Sequence, residues 1–273
     1  MTHQLSFGGL LKQWRVVRRT SQLDLAEDAE VSPRHVSFLE TGRARPSREM
    51  VLVLASALEV PLRERNVLLA AAGFSPAYTE GDLDGQAMAA VRRALDWTLR
   101  QAEPFPAVAL NRRWDVVTTN RAAGALFGLL LGDRAPTGPV NVLRMMLDPD
   151  GLRPLVSNWR TLVPELLRRI RREAVERVLD AETEALLDEV MPWVPPELRG
   201  HDVTVPSVPV IPVHFRKGDL DLRFFSTVTV LGTPQDVTAQ ELRVEVFFPE
   251  DAHTEAEARR RFSGRSDDTS PAE

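Results

Sequence analysis

Between Phe7 and Ala72 apolar residues recur at helical spacing, yet capping residues interrupt them so often that no single helix can run through. Five short helices satisfy both patterns. The first runs from Gly8 to Arg19 with Leu10, Leu11, Trp14 and Val17 inward. Ser21 caps a second, SQLDLAEDA, with Leu23, Leu25 and Ala26 inward and Asp24 placed as the partner in a capping box. Ser32 caps the third, Pro33 takes the first helical position, where its missing N–H costs nothing, and Gly42 closes it. Ser47 caps a fourth carrying Met50, Val51, Leu54, Ala55 and Leu58, and a fifth, Leu62 to Ala72, adds Val67, Leu68 and Leu69 to the core.

The third helix turns Val36 and Leu39 inward and so leaves Pro33, Arg34, Ser37, Phe38 and Thr41 on or near its open side. An open strip with an arginine, a serine and a phenylalanine is a reading face. The net charge of −5 argues against a nucleic-acid partner until it is divided. Residues 1–76 carry ten Lys and Arg against eight Asp and Glu, whereas the remainder carries twenty-four against thirty-one. The acidity belongs to the second part.

Two helices joined by Glu30-Val31-Ser32, with small Ala26 at the close contact and Val31 plugging the turn, describe a helix-turn-helix. The segment SQLDLAEDAEVSPRHVSFLETGRARPS resembles the lambda-repressor-like, Xre-type family, through Gln22, Leu25, Ala26, Val31, Ser32, Leu39, Glu40, Gly42, Pro46 and Ser47. That resemblance implies double-stranded DNA as the partner, with the third helix in the major groove and the second across the backbone. Carried over by position, Ser32, Pro33, Arg34, Ser37 and Phe38 would face bases, and Gln22, Thr41 and Arg43 would meet phosphates. Arg45 and Arg48 would add contacts that bind without specifying. Phe38 departs from the polar residue common at its place. Arg15 and Glu40 occupy positions that pair in the family, tying the first helix to the third.

GFSPAYTEGDLDG, residues 73–85, reads as a domain boundary, and a helix with Met88, Val91, Leu95 and Leu99 on one stripe follows it. Next, FPAVALNRRWDVVTTNRAAGALFG holds two apolar runs around an Asn-Arg-Arg turn and then a helix capped by Asn120 through Leu131. Strand, turn, strand, helix is how a PAS-like domain opens. Together with Asn141 to Arg144, Leu147-Asp-Pro and Trp159 in a long basic helix to about Val178, the pattern resembles the MmyB-like ligand-binding domain. A helix from Ala181 to Met191 precedes three strand-like segments, Val208 to Phe215, Leu220 to Leu231 and Leu242 to Phe248. The histidine-proline pair of the commoner branch is missing before the sheet.

The expected fold is α+β: an all-α five-helix head over residues 1–74, a linker and connecting helix over 75–104, and a PAS-like α/β sensor domain with a five-stranded antiparallel sheet over 105–250. A short helix and disordered tail complete it, over 251–273. Candidate walls of an interior ligand gap are Trp114, Phe127, Leu130, Met145, Met146, Val228 and Val230, because a sheet with helices over one face encloses such a gap and methionine adapts to a flexible apolar guest. The resemblance implies a small apolar, fatty-acid-like effector, and a homodimer is expected because a single head offers too few contacts to DNA. A second reading keeps DNA binding but has the second domain only dimerise or hold a protein partner.

Several classes are argued against. Without cysteine there are no disulfides, thiol nucleophiles or thiolate metal sites, and the five histidines lack metal-ligand spacing. Phosphate loops and nucleophile elbows are absent, and Leu152 and Trp159 fall where a calcium loop starting at Asp148 needs oxygen ligands. Self-cleavage by a Ser–Lys pair would have to use Lys217, which the sequence places in an exposed hairpin turn. No enzymatic activity, cofactor or metal is expected. No apolar run is long enough to cross a bilayer, and the N-terminus is not leader-like, so a cytoplasmic location is expected.

Overall fold

The computed structural model describes residues 6–136, 138–175, 181–199, 210 and 212–263. They form two compact units, one built on the N-terminal helices and one on a sheet. Among the described residues the first unit has α1 (Phe7–Val17), α2 (Gln22–Asp28), α3 (Pro33–Glu40), α4 (Arg48–Ala57) and α5 (Leu62–Ala71). The helix starts are set by short polar side chains. Ser6, Ser21, Ser32 and Ser47 each accept a hydrogen bond from the backbone N–H three residues on, and Asp24 returns one from Ser21 N, completing the capping box.

Leu10, Leu11, Trp14, Leu25, Ala26, Val36, Leu39, Leu54 and Leu68 are buried together as the core of this unit. Two inward assignments fail. Leu23 is 62% exposed, because α2 has only two turns and its buried stripe is taken by Leu25 and Ala26. Val67 is 38% exposed, since Leu68 and Leu69 fill the space behind it. Gly8 has a role that its position at a helix start did not suggest. A Cβ there would stand 2.4 Å from Leu39 O and 2.5 Å from Glu40 O, so only glycine lets α1 meet the end of α3 this closely.

The stretch after α5 is tied rather than loose. Asn66 accepts from the N–H groups of Ala77 and Tyr78 and donates to Tyr78 O, while Asp236 accepts from Thr79 Oγ1 at 2.7 Å and Gly81 N at 2.9 Å. Residues 233–240 accordingly cluster with the first unit.

The second unit has α6 (Ala89–Gln101), β1 (Ala107–Leu110), β2 (Val116–Thr119), α7 (Arg121–Leu131), α8 (Val142–Leu147), α9 (Trp159–Val175) as far as Ile170, α10 (Ala181–Val190), β3 (Val213–Lys217), β4 (Leu220–Val230), β5 (Arg243–Pro249) and α12 (Ala252–Phe262), whereas α11 (Val237–Glu241), ahead of β5, falls in the first unit up to Gln240. The five strands pair antiparallel in the order β2-β1-β5-β4-β3. Both faces of the sheet carry packed helices, although the end of β4 from Thr227 to Val230 is exposed. On one, Ala107, Ala109, Val244 and Val246 pack against Leu95 and Leu99 of α6. On the other, Val108, Leu110, Leu222 and Phe224 meet α7, α8 and α9. The expected extension of α9 to Val178, a strand beginning at Val208 and the tail beyond 263 lie outside the described residues.

Two asparagines brace the helical side. Asn120 caps α7 by accepting from Ala123 N, accepts from Ala107 N as well, and donates to Phe105 O and Leu99 O. Asn141 caps α8 and donates to Arg113 O and Asp115 Oδ1, which fixes the tip of the β1–β2 hairpin. Lys217 is exposed but ends β3 instead of lying in the turn, which is Gly218-Asp219, and its amine is committed: Nζ donates to Leu129 O and Leu130 O and closes the C-terminus of α7.

Candidate nucleic-acid interface and ligand cavity

Helices α2 and α3 are joined by a turn in which Glu30 adopts φ +54° and Val31 N donates to Ala26 O at 2.8 Å. Glu40, at the C-terminal end of α3, gathers the three helices around it. Arg15 Nε and Nη2 donate to its two carboxylate oxygens at 2.6 and 3.1 Å, and Gln22 Nε2 donates to Oε2 at 2.6 Å. Burial works against the carboxylate, but the hydrogen bonds from Arg15 and Gln22 and the charge of Arg15 outweigh it, leaving Glu40 below the ordinary glutamate range. Arg15 is raised in turn, chiefly through its hydrogen bond to Glu40.

Of the residues assigned to DNA, Ser32, Pro33, Arg34, Thr41, Arg43 and Arg45 are exposed, and Gln22, Ser37 and Phe38 are half-buried. They form one side of the α2–α3 pair and the loop after it. Some of their polar groups are already engaged: Ser32 Oγ accepts from His35 N, Thr41 Oγ1 donates to Ser37 O, and the Gln22 amide is held by Glu40. Arg34 and Arg43 both place their guanidinium groups over the Phe38 ring, 5.1 and 5.9 Å from its centroid.

In the second unit a cavity of about 180 Å³ lies between the sheet and α7, α8 and α9. Trp114, Phe127, Met145 and Met146 line it, as their assignment to a ligand gap requires. Leu130 does not; it is fully buried in the core. Val228 and Val230 also stand apart from the wall. They share the cavity-side parity of β4 with Phe224 and Ser226, yet they lie past its rim and are 45% and 62% exposed.

The cavity has one polar region that the sequence did not disclose, formed by Glu165, Arg169, Ser226 and Glu245. Arg169 Nη1 donates to Glu245 Oε1 at 3.0 Å, and Ser226 Oγ donates to the same oxygen at 2.6 Å. Trp114, at the hairpin tip and 2% exposed, has φ +66°, with the guanidinium carbons of Arg169 and Arg243 at 4.7 and 4.1 Å from its ring centroid. Trp159 Nε1 donates to Met146 O, and Leu152 N donates to Met145 O, so the methionine wall is held from behind. Gly151 permits that second contact, since a Cβ there would come within 2.5 Å of Met145 O.

Among the described residues no group of acids and histidines could hold a metal ion, and no helix is long and apolar enough to cross a membrane. A comparison with curated proteins finds no significant match. Two family models do match: a helix-turn-helix domain over residues 6–68, and the MmyB-like transcription regulator ligand binding domain over residues 91–260, more than half of the chain. The chain therefore belongs to the MmyB-like family of transcription regulators, with a helix-turn-helix head before its ligand-binding domain.

Proposed function

We propose that this regulator reads operator DNA with α3 and that a fatty-acid-like amphiphile in the sheet cavity controls it. The exposed strip from Ser32 to Thr41 supports the first part, because it pairs a capped, rigid helix with an arginine at its N-terminal end. In this reading Ser32, Pro33, Arg34 and Ser37 face base edges, while Gln22, Thr41, Arg43 and Arg45 meet phosphates. A single head offers few contacts, so two copies would occupy half-sites about one helical turn apart.

Selection of bound duplexes from a random pool tests this directly. Recovery of a two-fold motif with that spacing supports the reading, and recovery of no motif defeats it. On the selected duplex Arg34→Ala is expected to lose about 1–3 kcal/mol, the discrimination carried by a bidentate arginine–guanine pair. On random DNA of equal length the loss should be far smaller. Equal losses on both would assign Arg34 to phosphate alone.

The cavity supports the second part through its division into two kinds of wall. Trp114, Phe127, Met145, Met146 and Phe247 suit an alkyl tail, and Arg169 offers a guanidinium at the polar region for a carboxylate. Extraction of the purified chain followed by mass spectrometry should recover such an amphiphile, or the chain should take one up when it is supplied. Neither result would leave the domain with an assembly role only. Met145→Trp, which adds bulk inside the cavity, is expected to weaken binding of a fluorescent fatty acid by at least about tenfold, roughly 1.4 kcal/mol. DNA binding by the unliganded chain should stay unchanged, as measured by gel shift on the selected duplex.

A further inference from the structure

We propose that Phe38 is a shared aromatic platform that presets Arg34 and Arg43 before DNA arrives, which makes it a positioning residue and not a reader of bases. The proposal rests on the reading of α3 as the base-facing helix. The two guanidinium carbons stand 5.1 and 5.9 Å from the ring centroid, within the range where the negative face of an aromatic ring attracts a cation.

The two arginines reach the ring by different routes. Arg34 lies one helical turn before Phe38, where side chains four residues apart are neighbours. Arg43 lies beyond the helix and is brought back by the backbone. Gly42 takes φ +73°, and Phe38 O then accepts from Arg43 N at 2.8 Å and Ala44 N at 3.1 Å. One residue thus holds the loop through its carbonyl and both cations through its ring.

This arrangement has a consequence for affinity. A free arginine loses rotamer freedom when it pairs with DNA, and prior placement lowers that cost. Two like charges brought to one side chain repel each other, and the ring face offsets part of the repulsion until an anionic partner arrives. A phenylalanine that pressed on a thymine methyl would need its ring open, whereas this ring is half-buried and carries two guanidiniums.

The test uses the full chain and the selected duplex. Phe38→Leu keeps apolar bulk and removes the ring, and Phe38→Tyr keeps the ring. Phe38→Leu is expected to weaken binding about 5-fold or more, the fold-change of ordering two arginine side chains that the ring no longer holds, while Phe38→Tyr stays within about twofold of the parent. In an Arg34→Ala, Arg43→Ala background Phe38→Leu should cause no further loss. Thermal unfolding of each variant separates these effects from loss of fold. An undiminished loss in that background would mean that Phe38 touches DNA itself, and parent-like binding by Phe38→Leu would mean that the platform carries nothing; either overturns the proposal. Parent-like binding by the Arg34→Ala, Arg43→Ala chain would instead overturn the reading of α3 on which the proposal stands.

Discussion

Glu40→Ala is expected to cost the first unit about 3 kcal/mol, the lower end of the range for breaking a buried ion pair by removing one partner. The Glu40 side chain is 3% exposed and that of Arg15 is 14% exposed, so neither can exchange its partner cheaply for water. The substitution strips Arg15 of two hydrogen bonds and Gln22 of one, leaving Arg15, among the described residues, with its bond to Thr20 O. Because those bonds tie α1 and α2 to the end of α3, α3 should lose its fixed orientation. Hydrogen exchange of the full chain checks this: amides of α1, α2 and α3 should lose protection while the sheet keeps its own. DNA affinity should fall on selected and random duplexes alike, unlike the loss for Arg34→Ala. Unchanged exchange in α1–α3 would remove Glu40 from this role.

The same carboxylate sets a pH dependence. Its folded-state value lies below that of the unfolded chain, so the stability it contributes is fully present above the unfolded value, about 4.3, and is lost as pH falls through the folded one. The parent chain should therefore lose α1–α3 protection on acidification below about pH 4. Glu40→Ala, already lacking that contribution, should show a flatter profile over the same window.

What the sequence discloses about this molecule is mostly local. Ser21, Ser32, Pro33, Gly42 and Ser47 mark helix ends because capping acts within three residues, and each stands where its spacing predicts. The sheet is legible for the same reason, since alternation along Leu220 to Ser226 acts residue by residue. The cavity's polar region is not. Arg169 and Glu245 are 76 residues apart, and each sits where charge ordinarily means solvent. In β5 the alternation of Arg243 and Glu245 with Val244 and Val246 reads as an exposed charged face behind a buried apolar one. Both faces are covered, and the charged one, with Arg243 at 5% and Glu245 at 6% exposure, looks toward Trp114 and the cavity. Gly8 escaped for a related reason, because the carbonyls it accommodates belong to a helix end more than thirty residues away.

Trp114→Ala is expected to destabilise the second unit by about 3–5 kcal/mol, the cost of deleting a fully buried large aromatic ring. Three observations place it high. The ring is 2% exposed, it takes part in the wall of the cavity, and two guanidiniums stack on it. Removing it leaves Arg169 and Arg243 facing a void in a setting that cannot solvate them fully, so the loss exceeds that of the hydrophobic contact alone. The left-handed backbone at this position is held from both sides, with Trp114 N donating to Asn111 O and Val142 N donating to Trp114 O, so the strain is sustained by the fold and not by the side chain. Alanine inherits that strain and repays none of it. Trp114→Phe, which keeps an aromatic face for both arginines, should lose markedly less. Urea unfolding of the full chain, followed by hydrogen exchange in β1, β4 and β5, measures the difference. An alanine variant within about 1 kcal/mol of the parent would show that the ring is not the point on which the cavity is built.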